Sequence, residues 1–127
     1  MKRSILACAC LFIVLVSCEP EKKQDLLAEG IPLEMAEYRT GQVSNVLYQL
    51  SFDIPSEKEH LIPSKLKLDL DIHDLSQPLY LDFNADASLL QTLQVNGQEQ
   101  EIIHQKEHIV ISEDVKDGPN TIEITFN

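Results

Sequence analysis

Two runs in this chain alternate apolar and polar residues, the first broken only at Leu47. In "VLYQLSFDI", Val46, Tyr48, Leu50, Phe52 and Ile54 fall on one face, with Gln49, Ser51 and Asp53 on the other. In "KLKLDLDIH", Leu66, Leu68, Leu70 and Ile72 alternate with Lys65, Lys67, Asp69, Asp71 and His73. A period of two fits a strand, whose successive side chains point to opposite faces. Both runs therefore predict antiparallel strands with one face in a core and the other in water.

The rest of the chain fills in around them. "LYLDF" (79–83) is a third strand. "ADASLLQTLQV" reads as a helical turn leading into a strand that ends near Val95. Asn96-Gly97 is a two-residue hairpin turn, because both residue types tolerate positive φ. The return strand is expected to carry Ile102 and Ile103, and "HIVIS" forms another strand. "DGPN" (117–120) reads as a turn before the last strand, which points Ile122, Ile124 and Phe126 inward. Upstream, "GIPLEMAEYRTGQ" predicts a short helix over about 32–40, with Pro32 at its first position and Gly41 past its end. Glu34 early and Arg39 late complement the helix dipole. The fold class expected is all-β, an antiparallel sandwich or saddle-like sheet with one short N-terminal helix.

The chain opens "MKRSILACACLFIVLVSC". A basic start, Lys2 and Arg3, precedes an apolar run over 5–16 that falls short of the about 20 residues a spanning helix needs. It reads as a secretory signal. "LVSC" (15–18) resembles the bacterial lipobox, which implies that Cys18 becomes the lipid-modified first residue. Cys8 and Cys10 would leave with the leader, so no intramolecular disulfide can form. The expected organisation is a signal peptide over 1–17, a polar tether over 18–29 containing "EPEKKQD", and one β domain over 30–127. The expected location is the bacterial cell envelope, periplasmic or cell-surface, with the membrane engaged through lipid at Cys18. The formal net charge is -11, and loss of Lys2 and Arg3 makes it more negative. Such acidity speaks against nucleic acid as a partner, since phosphate binding needs a basic face.

Two stretches carry metal-ligand residue types. "HQKEH" (104–108) matches H-x-x-E-H, the inverted zinc-peptidase signature. That signature works on a helix, where residues four apart share a face. Here Ile102, Ile103, Ile109, Val110 and Ile111 flank it, and β-branched residues favour a strand. The expectation is a hairpin with 105–107 at its tip and the two histidines at the loop ends, able to face each other. "DLDIHD" (69–74) lacks the acidic third ligand and the glycine of an EF-hand loop, and alternation explains it as the wet face of a strand. No metal ligand, cofactor or catalytic residue is assigned in this chain. Its serines show no triad-like placement, and it has no G-x-S-x-G elbow or Gly-rich phosphate loop.

Taken in order, the strands resemble the amino-terminal β domain of aminopeptidase N-like zinc metallopeptidases. "LEMAEYRTGQVSNVLYQL" is similar to the family's helix with an arginine followed by an I-S-N-V-x-Y-x-L strand. "LYLDF" resembles its L-x-L-D-F strand, and "VNGQEQ" (95–100) its hairpin. "HIVI" followed by "DGPNTIEITF" is similar to its G-x-N-x-I-x-I-x-F closing strand. The resemblance covers roughly 30–127, and departs at Pro63-Ser64, where the family carries a glycine. It implies that 30–127 is a partial amino-terminal β domain, a non-catalytic fragment of an enzyme that removes N-terminal residues from peptides. The family's zinc sits on H-E-x-x-H and a distant glutamate in a separate catalytic domain, where it polarises the scissile carbonyl. No H-E-x-x-H occurs in this sequence. The chain alone is thus expected to be inactive and free of cofactor, with a catalytic-domain polypeptide as its partner.

The alternative is a complete small β-sandwich lipoprotein that binds a partner or a carbohydrate at the cell surface. Three tyrosines, four phenylalanines and no tryptophan offer little aromatic platform for sugar.

Overall fold

The computed structural model describes residues 26–127. The expected signal peptide, Cys18 and most of the expected tether lie outside them. The element order is α1 (Leu33–Gln42), β1 (Val43–Phe52), β2 (Ser64–Ile72), β3 (Leu79–Asp82), a 3-10 turn (Ala87–Leu89), β4 (Leu90–Val95), β5 (Gln98–Gln100), β6 (Ile103–Gln105), β7 (His108–Ile111) and β8 (Gly118–Phe126). The strands form two antiparallel sheets, one of five in the order β1-β2-β8-β4-β5 and one of three in the order β3-β7-β6. The all-β sandwich with one short helix follows the alternation.

Each alternating face finds its place through pairing. Leu68, Leu70 and Ile72 of β2 lie beside Ile122 and Ile124 of β8 on the inner face of the large sheet. Leu79 of β3 and Ile109 and Ile111 of β7 close the core from the small sheet. The outer face of the large sheet stays wet, with Lys65 bridging Glu123 at 2.9 Å and Thr121 donating to Asp69 at 2.6 Å. β4 needs a correction of phase, because strict alternation would set Leu90 against Leu93 and Val95. A bulge between Leu90 and Thr92 supplies it, and all three are buried. Asn96 and Gly97 take φ of 51° and 81°, as the hairpin turn requires.

Several expectations shift. The helix begins at Leu33, with Pro32 as its N-cap, and continues through Gly41 to Gln42, where β1 follows directly. The return strand from Asn96-Gly97 ends at Gln100. Ile103 belongs to β6 in the other sheet, because the chain changes sheets at Glu101 and Ile102. "DGPN" is not all turn: β8 starts at Gly118, which carries φ of 82°, and Asn120 is a buried strand residue. Asn120 Nδ2 donates to Lys116 O and Gly118 O, tying the turn before β8.

The end of the expected tether is also different. Leu26 is buried and packs with Met35 of α1 and Tyr80 of β3, on the outer side of the small sheet. Residues 26–29 are thus seated on the domain. No helix among the described residues is long and apolar enough to cross a membrane.

Candidate interaction groove

β1 pairs with β2 along Tyr48↔Leu68 and Leu50↔Leu66. Residues paired across a ladder point to the same face, so Tyr48 and Leu50 face the inner side, like Leu68. The bulge between Ser44 and Leu47, where Asn45 takes φ of 52°, sets this phase. The expectation of a buried face on β1 is overturned here. Tyr48, Leu50 and Phe52 are 57%, 53% and 57% exposed. The large sheet has five strands against three in the small one, and β1 stands at its edge.

A groove of about 260 Å³ opens at that step. Tyr48, Leu50 and Leu66 form its floor, Leu81 and Phe83 one wall, and Ile124 and Phe126 lie deeper. β3 pairs only with β7, so its other edge faces the same opening. Ile54, Leu61 and Ile62, beyond the ends of β1 and its loop, are exposed as well.

Polar contacts hold the wall of the groove. Arg39 at the end of α1 grips Asp82 with two hydrogen bonds, Nη1 to Oδ2 at 3.0 Å and Nη2 to Oδ1 at 2.6 Å, and also donates to Tyr80 O at 3.0 Å. A guanidinium fits a carboxylate in this forked way. His108 Nδ1 meets Asp82 Oδ1 at 2.9 Å. Burial raises the Asp82 carboxyl, but the hydrogen bonds and charge of Arg39, with His108, outweigh it and hold the group below the usual carboxylate value. Gln42, buried at the helix–strand junction, donates through Nε2 to Gln77 O and Pro78 O at 3.2 Å each, fixing the approach to β3.

"HQKEH" folds as the β6–β7 hairpin, with Lys106 and Glu107 at φ of 47° and 68° as its two-residue turn. The tip is where the flanking isoleucines place it. The histidines do not face each other, which corrects that expectation. His104 pairs with Ile109, an inward residue, while His108 pairs with Gln105 on the outward face. His104 Nε2 meets Phe83 O at 2.8 Å under the small sheet, and His108 reaches Ala28 O and Gly30 O above it. Opposite faces of one sheet cannot share a metal ion. In "DLDIHD", Asp69 accepts from Thr121 and Asp71 from Asn45 at 2.6 Å, so protein donors occupy both carboxylates. Among the described residues no group of three or more His, Cys, Asp or Glu could hold a metal ion.

One polar pair escaped the sequence reading. Ser44 Oγ lies 2.6 Å from His73 Nε2, although 29 residues separate them, because the β1–β2 ladder brings them together. The pair is exposed on the outside of the sheet. The groove itself was missed because nothing local in β1 distinguishes a roofed stripe from an unroofed one. Neither a family model, nor a curated protein, nor a solved structure matches this chain.

Proposed function

We propose that this chain is a non-catalytic β domain, lipid-anchored to the cell envelope at Cys18, that works by packing its open groove against a second polypeptide. The observation that carries this reading is the apolar stripe of Tyr48, Leu50 and Phe52, which faces inward from the edge strand yet stays more than half exposed. Continuous apolar surface of this kind marks an interaction site. The residues that resemble the aminopeptidase N-like family give the partner its class, a polypeptide carrying the zinc-binding H-E-x-x-H domain. That partner would supply the zinc and the peptide-cleaving chemistry, and this chain would supply a wall of the assembly.

The test joins the two. The DNA adjoining this reading frame is expected to encode H-E-x-x-H. Co-expression of that product with the full chain should give a stable complex that releases amino acids from anilide substrates. The full chain alone should release none. Activity of the lone chain, or adjoining DNA without the zinc motif, overturns the proposal.

The alternative, a complete surface-binding module, is favoured by one observation: a core cluster of buried residues from both sheets is closed without any partner. It predicts that the lone chain stays monomeric at high concentration, whereas the docking reading predicts association through the groove.

A further inference from the structure

The "HQKEH" hairpin grips the segment 26–30 with three successive residues. Lys106 Nζ donates to Leu27 O at 2.7 Å, Glu107 Oε2 accepts from Gly30 N at 3.0 Å, and His108 Nε2 lies 3.1 Å from Ala28 O and 2.9 Å from Gly30 O. His108 is 1% exposed, the most enclosed of these groups. Its ring nitrogens meet only acceptors. Nε2 faces two carbonyl oxygens, and Nδ1 faces a carboxylate oxygen of Asp82. A carbonyl has no hydrogen to give, and neither does an ionised carboxylate, which Arg39 keeps charged. Both nitrogens must therefore carry hydrogen for every contact to be a bond. A neutral ring would turn one lone pair toward an acceptor inside a buried site, and an unmade bond there is costly.

We propose that His108 in its doubly protonated form is a pH-sensitive latch that holds residues 26–30 on the small sheet and lets them go when the ring loses a proton. The ring contacts set the sign, and charged groups surround them. Asp82 of β3 faces Nδ1, and Arg39 of α1 shares that carboxylate. Glu107 and Lys106 of its own hairpin bind the same segment, and Glu29 within the segment is exposed to solvent. The Tyr80 ring stands edge-on at 6.3 Å between centroids. The latch thus holds on the acid side and loosens as pH rises. Release would also lift Leu26 off Met35 and Tyr80, with which it packs. On the lipid-anchored reading, it would convert five residues of the body into tether.

Two measurements on the full chain test this. Nitrogen NMR of the His108 ring should show hydrogen on both Nδ1 and Nε2 while the segment is bound. The Gly30 amide, corrected for its intrinsic exchange rate, should lose about tenfold in protection as pH rises from about 5 to about 9. In His108→Gln that protection should be low throughout and flat with pH, while the β2 and β8 amides remain protected. Substituting His104, His73 or His60 by glutamine should leave the pH dependence in place. A wild-type ring with hydrogen on one nitrogen only, in the bound state, overturns the latch even if the His108 variant does not fold. So does corrected protection at Gly30 that is constant over this range. Either failure leaves the groove and its partner untouched, because neither measurement involves β1.

Discussion

At Asp82 opposing effects meet on one carboxylate. Burial raises its proton affinity, and the Arg39 fork and His108 lower it by more. A carboxyl held low contributes stability that is fully present above its ordinary value of 3.8 and is lost as pH falls through its lowered folded value. Asp82→Asn should remove that part of the acid unfolding curve, followed by circular dichroism. At neutral pH it should cost about 1 kcal/mol, a small figure because solvent screens a partly exposed pair. Gln42 presents the opposite case, a neutral group that is 1% exposed with its amide nitrogen aimed at backbone carbonyls. Gln42→Ala should lower the urea unfolding free energy by about 1–3 kcal/mol, the cost of buried acceptors left unpaired. Neither role was readable in the sequence. Gln42 lay past the expected end of the helix, and Asp82 looked like the polar position of a short strand. What each does depends on partners 26 to 43 residues away.

Among the elements, β1 and β2 make the sharpest pair. Both alternate, and both read as strands with a core face. Their ladder partners Leu50 and Leu66 even share a side. Yet Leu68 of β2 is 1% exposed, and Leu50 of β1 is half exposed. Leu68→Ala should cost about 2–5 kcal/mol, and Leu50→Ala less than about 1 kcal/mol. Urea titration of the two variants at constant slope distinguishes them. Local pattern announces that a strand has two unlike faces, and tertiary arrangement decides whether anything covers the apolar one. The helix, β2, the Asn96-Gly97 hairpin and the turn at Ala87–Leu89 were legible because each is set by neighbours in sequence. The bulges in β1 and β4 and the change of sheet after Gln100 were not, since each answers to a strand elsewhere in the fold.

For the whole molecule, five strands against three leave one edge of the sandwich open. The lone chain should self-associate as its concentration rises, measured by sedimentation velocity. Leu50→Lys should suppress that association and leave the unfolding midpoint nearly unchanged. Zinc should bind equally weakly to the full chain and to His104→Ala, measured by titration calorimetry, because the two histidines of "HQKEH" lie on opposite faces. A marked loss of zinc affinity in that variant would contradict the register of the β6–β7 hairpin.

The strand that comes latest in the sequence, β8, stands in the middle of the large sheet between β2 and β4. Until it arrives, that sheet is two separate hairpins, β1 with β2 and β4 with β5, sharing no ladder. Its pairing with β2 joins residues as far apart as Ser64 and Phe126, and contacts so distant form slowly. β8 is therefore the piece on which closure of the large sheet waits: without it neither hairpin has a neighbour in that sheet.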